Sequence, residues 1–203
     1  MLDVTDRLAV ILGGGAVAVR KARGLIEAGA TKIRMVSPTF CNDVPAMVEK
    51  MTARYEARHL DGAGLVFAAT DSPATNDEII REARRRGIWV NRANADDEEP
   101  GDFTTPAVLR QGPVTVTVST AGAPALAAKI RDELAGRFDP RWQTMADAMK
   151  TIRPAILAAV KMTPSRRREA FRELTMDEAM KVLTDGGVES LWKWLWEKYP
   201  ELR

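Results

Sequence analysis

Residues 8–38 read LAVILGGGAVAVRKARGLIEAGATKIRMVSP, and this stretch decides the fold. An apolar run at residues 8–12 stops at three glycines, and apolar residues then recur at helical spacing until a second apolar run at residues 33–36. The pattern predicts a strand, a tight turn, a helix and a second strand.

The glycines between the first strand and the helix predict nucleotide binding. Gly13-x-Gly15-x-x-Ala18 fits the dinucleotide fingerprint, whose glycines permit a sharp turn and a close backbone approach to a pyrophosphate at the helix N-terminus. Gly14 lies inside the same turn. A plain structural turn is the alternative, but the strand before the glycines and the helix after them favour the nucleotide.

One part of the fingerprint is absent. An acidic residue usually follows about twenty positions on, at the end of the second strand, and holds the ribose hydroxyls. Ser37 and Pro38 occupy that place, and the nearest acid is Asp43. The Ser37 hydroxyl could bind the ribose, but this position does not decide between NAD and NADP.

Further strands and helices extend the pattern. Residues 65–70 form a strongly apolar strand, and ligands lie beyond the carboxyl ends of strands in an open parallel sheet, so Ala69 and Thr70 should border the cofactor. A helix opened by Ser72 and a strand at residues 88–91 follow. The order predicts an α/β domain with a mostly parallel sheet and helices on both faces.

The segment between the second strand and the strand at residues 65–70 has a less clear pattern. Residues 42–53 carry apolar residues on one helical face and predict a helix, and residues 54–60 predict a short strand. That strand holds the single histidine, His59. A half-exposed histidine without a metal-spaced companion is interpreted as a surface residue, although an acid–base role is the alternative.

Residues 93–105 form a polar, acidic segment that should overhang the cofactor cleft, because it follows the carboxyl end of a strand. It is either a solvated acidic loop, which the spacing alone favours, or the source of a general base or metal ligand beside the nicotinamide. Its five carboxylates belong to Asp96, Asp97, Glu98, Glu99 and Asp102.

The second half of the chain changes character. Alternating valine and threonine predict a strand at residues 114–119, Pro124 opens a helix, and only helices are predicted from Arg141 onward, interrupted at Pro154, Pro164 and the Gly186-Gly187 pair. The expected division is a nucleotide-binding domain over 1–112, a strand and helix over 113–140, and a helical domain over 141–203. The tryptophan-rich last helix is interpreted as a packing or subunit surface.

Composition indicates a globular protein of ordinary polarity, with 45% hydrophobic and 29% charged residues. Thirty basic and 28 acidic residues nearly cancel, so bulk charge does not indicate a nucleic-acid partner. A single cysteine, Cys41, fits a reducing compartment, and no secretion signal or apolar run of membrane length is present. We expect a cytoplasmic protein without a membrane partner.

Several separated motifs resemble one family. The most specific is Gly13-Gly14-Gly15-Ala16-Val17-Ala18-Val19-Arg20-Lys21, because a generic dinucleotide fold has no reason to place Arg-Lys there. Others are Val36-Ser37-Pro38, Val66-Phe67-Ala68-Ala69-Thr70-Asp71 with Asn76, Gly87-Ile88-Trp89-Val90-Asn91, and Phe103 with Pro106-Ala107. Over about residues 8–134 the chain resembles the precorrin-2 dehydrogenases, which include the N-terminal module of siroheme synthases.

The resemblance implies a Rossmann-like domain that oxidises precorrin-2 to sirohydrochlorin, with NAD as hydride acceptor. It implies NAD contacts at Ala16, Val17, Ser37 and Pro38. It also implies a catalytic aspartate in the loop after the fifth strand. Counting back from Phe103 gives Asp96, whereas counting three residues on from the strand-end asparagine, Asn91, gives Asn94. An insertion of two residues before Asp96 reconciles the two counts, and Asp97 is the alternative.

The resemblance also implies substrate contacts and a partner. Thr120 matches a position near the substrate cleft in the family, and a tetrapyrrole with many carboxylates would attract cationic side chains such as Arg110 and Lys129. Arg131 and the cluster of Arg166, Arg167 and Arg168 are further candidates. A homodimer through the strand and helix after the nucleotide domain is implied as well.

Two functional alternatives stay open. Some members of the family also insert iron at the same site, and the sequence does not decide this question; with one histidine and one cysteine, no conventional metal site is predicted. The alternative from another class is a non-enzymatic NAD-sensing regulatory domain, which would need no carboxylate over the nicotinamide.

Overall fold

The computed structural model describes residues 2–93 and 101–203. The chain separates into two compact units, Met1–Thr105 and Pro106–Arg203. The three-part division expected from the sequence stays a prediction.

The first unit is built on a five-stranded parallel sheet. The central strand β1 (Leu8–Leu12) pairs with β2 (Lys32–Ser37) on one side and β4 (Ala63–Ala68) on the other. The edge strands are β3 (Glu49–Thr52), beside β2, and β5 (Trp89–Arg92), beside β4. The strand order β3-β2-β1-β4-β5 is therefore that of an open parallel sheet.

Helices cover both faces of this sheet because alternate residues of each strand point to opposite sides. In β1, Ala9 and Ile11 join the core formed with helix α1 (Ala16–Glu27). Val10 and Leu12 join the core formed with helix α2 (Pro73–Arg85). The α/β class with a Rossmann-like parallel sheet is confirmed.

Two local predictions are wrong. Residues 42–53 form turns followed by β3 instead of a helix, since the backbone of residues 49–52 completes the edge of the sheet beside β2. In place of the expected strand over residues 54–60, a short 3-10 helix spans Ala57–Leu60. His59 in that helix is buried, at 3% exposure, and its Nδ1 accepts the backbone N–H of Glu56 at 3.0 Å.

The second unit begins with an antiparallel hairpin. The predicted strand β7 (Val114–Val118) pairs with β6 (Ala107–Gln111), which the sequence pattern did not indicate. Helix α3 (Pro124–Arg137) follows and starts at the expected proline. Only Ala127 of α3 is buried, so most of this helix is at the surface of the described structure.

Three further α-helices follow in the second unit, as predicted: α4 (Arg141–Ala158), α5 (Pro164–Glu173) and α6 (Asp177–Lys198). Pro154 lies inside α4 and does not end it, contrary to expectation. Gly187, with φ of +68°, kinks α6 at the predicted place. The Trp192 and Trp196 rings lie 5.5 Å apart, and Trp192 and Trp194 pack against the helical core.

Within the described ranges, none of the helices combines the length and the apolar character needed to cross a bilayer.

Candidate nucleotide-binding site

Three loops meet at the carboxyl edge of the sheet and bring together the nine residues predicted to bind the cofactor. The glycine loop joins β1 to α1, the second loop follows β2, and the third loop follows β4. Backbone hydrogen bonds connect them: Gly13 N–H donates to Val36 O at 2.9 Å, and Ala69 N–H donates to Leu12 O at 2.8 Å. The nine residues are Gly13, Gly14, Gly15, Ala16, Val17, Ser37, Pro38, Ala69 and Thr70.

Gly13 and Gly14 are required by the close approach of these loops. Gly13 has φ of +134°, and a Cβ there would overlap the carbonyl oxygen of Ala69. A Cβ on Gly14 would overlap the carbonyl oxygen of Thr39 and lie 2.8 Å from Ser37 Oγ. These two glycines therefore hold the loops against one another.

Gly15 has a different environment, and it fits a bound phosphate. It is the N-cap of α1, and a Cβ added to it would meet no atom within 4 Å. No side chain caps the helix and its first turn holds no acidic residue, so, within the described residues, no side chain accepts a hydrogen bond from its first N–H groups. Free N–H groups and the positive end of the helix dipole both favour an anion at this position, so the loop fits a pyrophosphate.

The loop after β2 lies against the glycine loop. Cys41 N–H donates to Gly14 O at 2.9 Å, and Ser37 is buried at 8% exposure while Pro38 is exposed. Ser37 therefore packs beneath Gly14, and Pro38 is the more accessible of the two predicted contacts. Residues 37–43 contain no lysine or arginine that could hold the 2′-phosphate of NADP.

The loop after β4 is held by a buried asparagine. Asn76 Oδ1 accepts hydrogen bonds from Thr70 N–H at 3.2 Å and from Thr70 Oγ1 at 2.7 Å, and Asn76 Nδ2 donates to Thr70 O at 3.2 Å. Ser72 caps α2 by accepting Thr75 N–H at 3.2 Å. The backbone at Ala69 and Thr70 is thus fixed beside the glycine loop.

The segment that follows the acidic residues is anchored to β5. Asp102 Oδ2 accepts Val90 N–H at 3.1 Å, and Asp102 Oδ1 accepts Arg84 Nε at 2.9 Å. Asn91 Nδ2 donates to Phe103 O at 2.7 Å, whereas Asn91 Oδ1 is buried without a hydrogen-bond partner among the described residues. Asp102 therefore anchors the fold, although the sequence groups it with four other acids.

A lysine lies beside the same segment. Lys21 Nζ donates to Thr105 Oγ1 at 2.6 Å and lies 5.7 Å from the centroid of the Phe67 ring. Phe103 packs edge-on against Phe67, with ring centroids 5.6 Å apart. Partial burial, with a smaller contribution from Arg20, lowers the pKa of Lys21 to about 8.

The remaining predicted residues lie outside the described residues or in the second unit. Asp96 and Asp97 fall outside the described residues. Arg110 and Lys129 are exposed in the second unit, and Thr120 Oγ1 donates to Ala123 O at 2.5 Å within a turn of that unit. In the described ranges, no group of three or more histidine, cysteine or acidic side chains is arranged to hold a metal ion.

Sequence reasoning assigned no role to three residues that shape this edge. Arg92 is buried, and its Nη1 donates to Asp77 Oδ1 at 2.6 Å. Asn91 and Lys21 were noted only as part of the family resemblance. The Arg-Lys pair after the glycines was the available signal for Lys21, and no sequence signal indicated Arg92.

Comparison with known proteins agrees with this geometry. A protein-family model described as "Putative NAD(P)-binding" matches residues 1–107. The chain belongs to this NAD(P)-binding family, and the prediction of a dinucleotide-binding domain is confirmed.

The curated relatives narrow the likeness to siroheme synthases. The chain is 32% identical over 192 residues to the siroheme synthase of Photorhabdus laumondii, covering 92% of this chain and 40% of that protein. It is 34% identical over 181 residues to the siroheme synthase of Methylococcus capsulatus, covering 87% and 37%. The resemblance predicted from the residues is confirmed, although the chain spans only about 40% of the length of such relatives.

A solved structure shares the fold over nearly the whole chain. The structure of "SirC, precorrin-2 dehydrogenase" superposes with a TM-score of 0.76 and 23% identity, covering 98% of both chains. At this identity the likeness concerns the fold, which includes the helical second unit.

Proposed function

We propose that this chain oxidises precorrin-2 to sirohydrochlorin in siroheme biosynthesis, with NAD as the hydride acceptor. The observation that carries the proposal is the alignment of 92% of the chain with siroheme synthases, since the same stretch includes a glycine loop shaped for a pyrophosphate. SirC, a protein of the same fold, is described as a precorrin-2 dehydrogenase, which supports the same activity.

The glycine loop and its neighbours would bind and orient the cofactor. Backbone N–H groups of Ala16 and Val17 would hold the pyrophosphate, and Ser37 and Pro38 would lie beside the adenosine ribose. The backbone at Ala69 and Thr70, fixed by Asn76, would border the nicotinamide. When bound, NAD supplies the acceptor for the hydride, and the absence of basic residues at 37–43 favours NAD over NADP.

The proton chemistry is assigned to the acidic segment. Asp96, with Asp97 as the alternative, would accept a proton from the substrate as the macrocycle is oxidised. Asp102 is a poor candidate for this role, because both of its carboxylate oxygens accept hydrogen bonds that anchor β5. The reaction with added ferrous iron, described below, tests whether the chain also inserts iron into the macrocycle.

Substrate binding and assembly involve the second unit in this proposal. Thr120, Arg110 and Lys129 are proposed to contact the tetrapyrrole. The exposed apolar residues of α3, Leu126 at 51% and Leu134 at 42% exposure, support a homodimer through this helix and the β6–β7 hairpin. We also propose a cytoplasmic location, which the single cysteine supports.

The test is an anaerobic reaction of the purified chain with NAD and enzymatically made precorrin-2. The proposal expects the absorption spectrum of sirohydrochlorin to develop together with an equal amount of NADH. Tight NAD binding by folded protein without any conversion would contradict it and would favour the NAD-sensing domain. A parallel reaction with ferrous iron separates oxidation from chelation, because only chelation yields the siroheme spectrum.

A further inference from the structure

The side chain of Lys21 has a position that the proposed cofactor chemistry does not use. Lys21 lies on α1, about one and a half turns after the glycine loop. Its Nζ sits against the Phe67 ring of β4 and donates to Thr105, the last residue of the first unit. The amine therefore lies on the α1 face of the sheet, next to the segment that follows the acidic residues.

Among the described residues, no carboxylate compensates the charge of Lys21. Over residues 2–93 and 101–203, no carboxylate lies within salt-bridge distance of its Nζ, although partly buried lysines are usually paired. An ammonium group has three N–H donors, and the Thr105 hydroxyl satisfies one of them. Desolvation lowers its pKa to about 8, and Arg20 adds repulsion. An incoming anion would relieve both effects.

The residue before it provides a contrast. Arg20 carries the same charge on the same helix, but it is exposed, so water solvates its guanidinium. Lys21 is half-buried, so its amine is reachable but less fully hydrated than the exposed Arg20 guanidinium. A substrate carboxylate would therefore interact more strongly with Lys21 than with Arg20.

We propose that Lys21 is a substrate-binding residue that recognises a carboxylate of the tetrapyrrole. The inference rests on the proposed function, because it takes the anion from the carboxylate-rich substrate of that reaction. It names a specificity-determining contact on the first unit.

The test measures tetrapyrrole binding and NAD binding separately in matched variants. Sirohydrochlorin, which bears the same acidic side chains as the substrate, is titrated against the parent, Lys21→Met, Lys21→Arg and Arg20→Met, and NADH is titrated against each. We expect Lys21→Met to weaken sirohydrochlorin binding about tenfold, as for one charge-assisted hydrogen bond, with NADH affinity and thermal midpoint unchanged or higher. Lys21→Arg should recover most of the affinity, and Arg20→Met should behave like the parent.

The outcomes separate the two proposals. Equal sirohydrochlorin affinity in Lys21→Met and the parent, or an equal loss in Arg20→Met, would overturn the role of Lys21 alone. A parent chain that neither binds sirohydrochlorin nor oxidises precorrin-2 would overturn the proposed function and this inference together. If Lys21→Met does not fold, Lys21→Gln, which keeps the polar contact to Thr105, provides the same comparison.

Discussion

Asn76 holds Thr70 through three hydrogen bonds, to its N–H, its hydroxyl and its carbonyl oxygen, and it is completely buried while doing so. One side chain of α2 thus fixes the backbone at the end of β4, where the nicotinamide is proposed to lie. The asparagine amide is well suited to this task because it offers a donor and an acceptor on one rigid group.

We predict that Asn76→Ala lowers the free energy of unfolding by about 2–3 kcal/mol, since it removes three hydrogen bonds to partly buried polar groups of Thr70. NADH affinity should fall as well, because the loop beside the glycines loses its support. Denaturant unfolding and a fluorescence titration measure the two effects. The exposed neighbour variant Glu78→Ala is the control and should stay within about 0.5 kcal/mol of the parent; an unchanged Asn76→Ala variant would refute the structural role.

The glycine loop permits a substitution that separates folding from binding. We predict that Gly15→Asp keeps the stability of the parent, because aspartate is a favoured N-cap and a Cβ at this position meets open space. The carboxylate would occupy the phosphate position with like charge, so the NADH dissociation constant should rise at least about tenfold. Gly15→Ser, a neutral N-cap, should lose less affinity. Parent-like NADH binding by Gly15→Asp would argue against a pyrophosphate at this loop.

The acidic residues of the 93–105 segment should have different roles, catalytic for Asp96 and structural for Asp102. We predict that Asp96→Ala abolishes precorrin-2 oxidation while NADH affinity stays nearly intact, because this carboxylate is assigned to the substrate. Asp102→Ala should instead lower stability by about 1–2 kcal/mol through the loss of its contacts to Val90 and Arg84, with turnover retained by the folded fraction. Steady-state kinetics and unfolding curves distinguish the two. Full activity in Asp96→Ala would move the role to Asp97 or elsewhere.

Lys21 should give stability a specific pH dependence. Its pKa is about 8 in the folded chain against 10.5 for an ordinary lysine, so the unfolded chain binds more protons between these values. The contribution of Lys21 to the free energy of unfolding therefore rises with pH across that window. We predict that Lys21→Met is at least as stable as the parent below pH 8 and that its relative advantage shrinks as the pH approaches 10.5. A constant difference in the free energy of unfolding between Lys21→Met and the parent from pH 8 to 10.5 would contradict the lowered pKa of Lys21.

The regions that could be predicted from sequence are those where local pattern and tertiary structure agree. The apolar run at β1, the glycines and the amphipathic α1 each indicate one conformation, so the cofactor loop and four of the five strands, β1, β2, β4 and β5, were predictable. Residues 42–53 were misassigned because their apolar spacing imitates a helix, whereas residues 49–52 pair with the edge of β2. No local pattern reveals that pairing partner.

The side-chain partners at the site were less predictable for a related reason. Asp102 belongs to an acidic cluster in the sequence, but Arg84, eighteen residues earlier, and the backbone of β5 make it a structural anchor. His59 was expected at the surface, yet a 3-10 turn buries it against its own backbone cap. Such contacts depend on which distant elements meet, and only the folded chain defines them.

A crystal structure of the chain with NAD would show whether the glycine loop binds the pyrophosphate. We expect pyrophosphate oxygens within hydrogen-bond distance of the backbone nitrogens of Ala16 and Val17, and the nicotinamide beside Ala69 and Thr70. NAD bound elsewhere, or a glycine loop closed by protein side chains in crystals saturated with NAD, would contradict it.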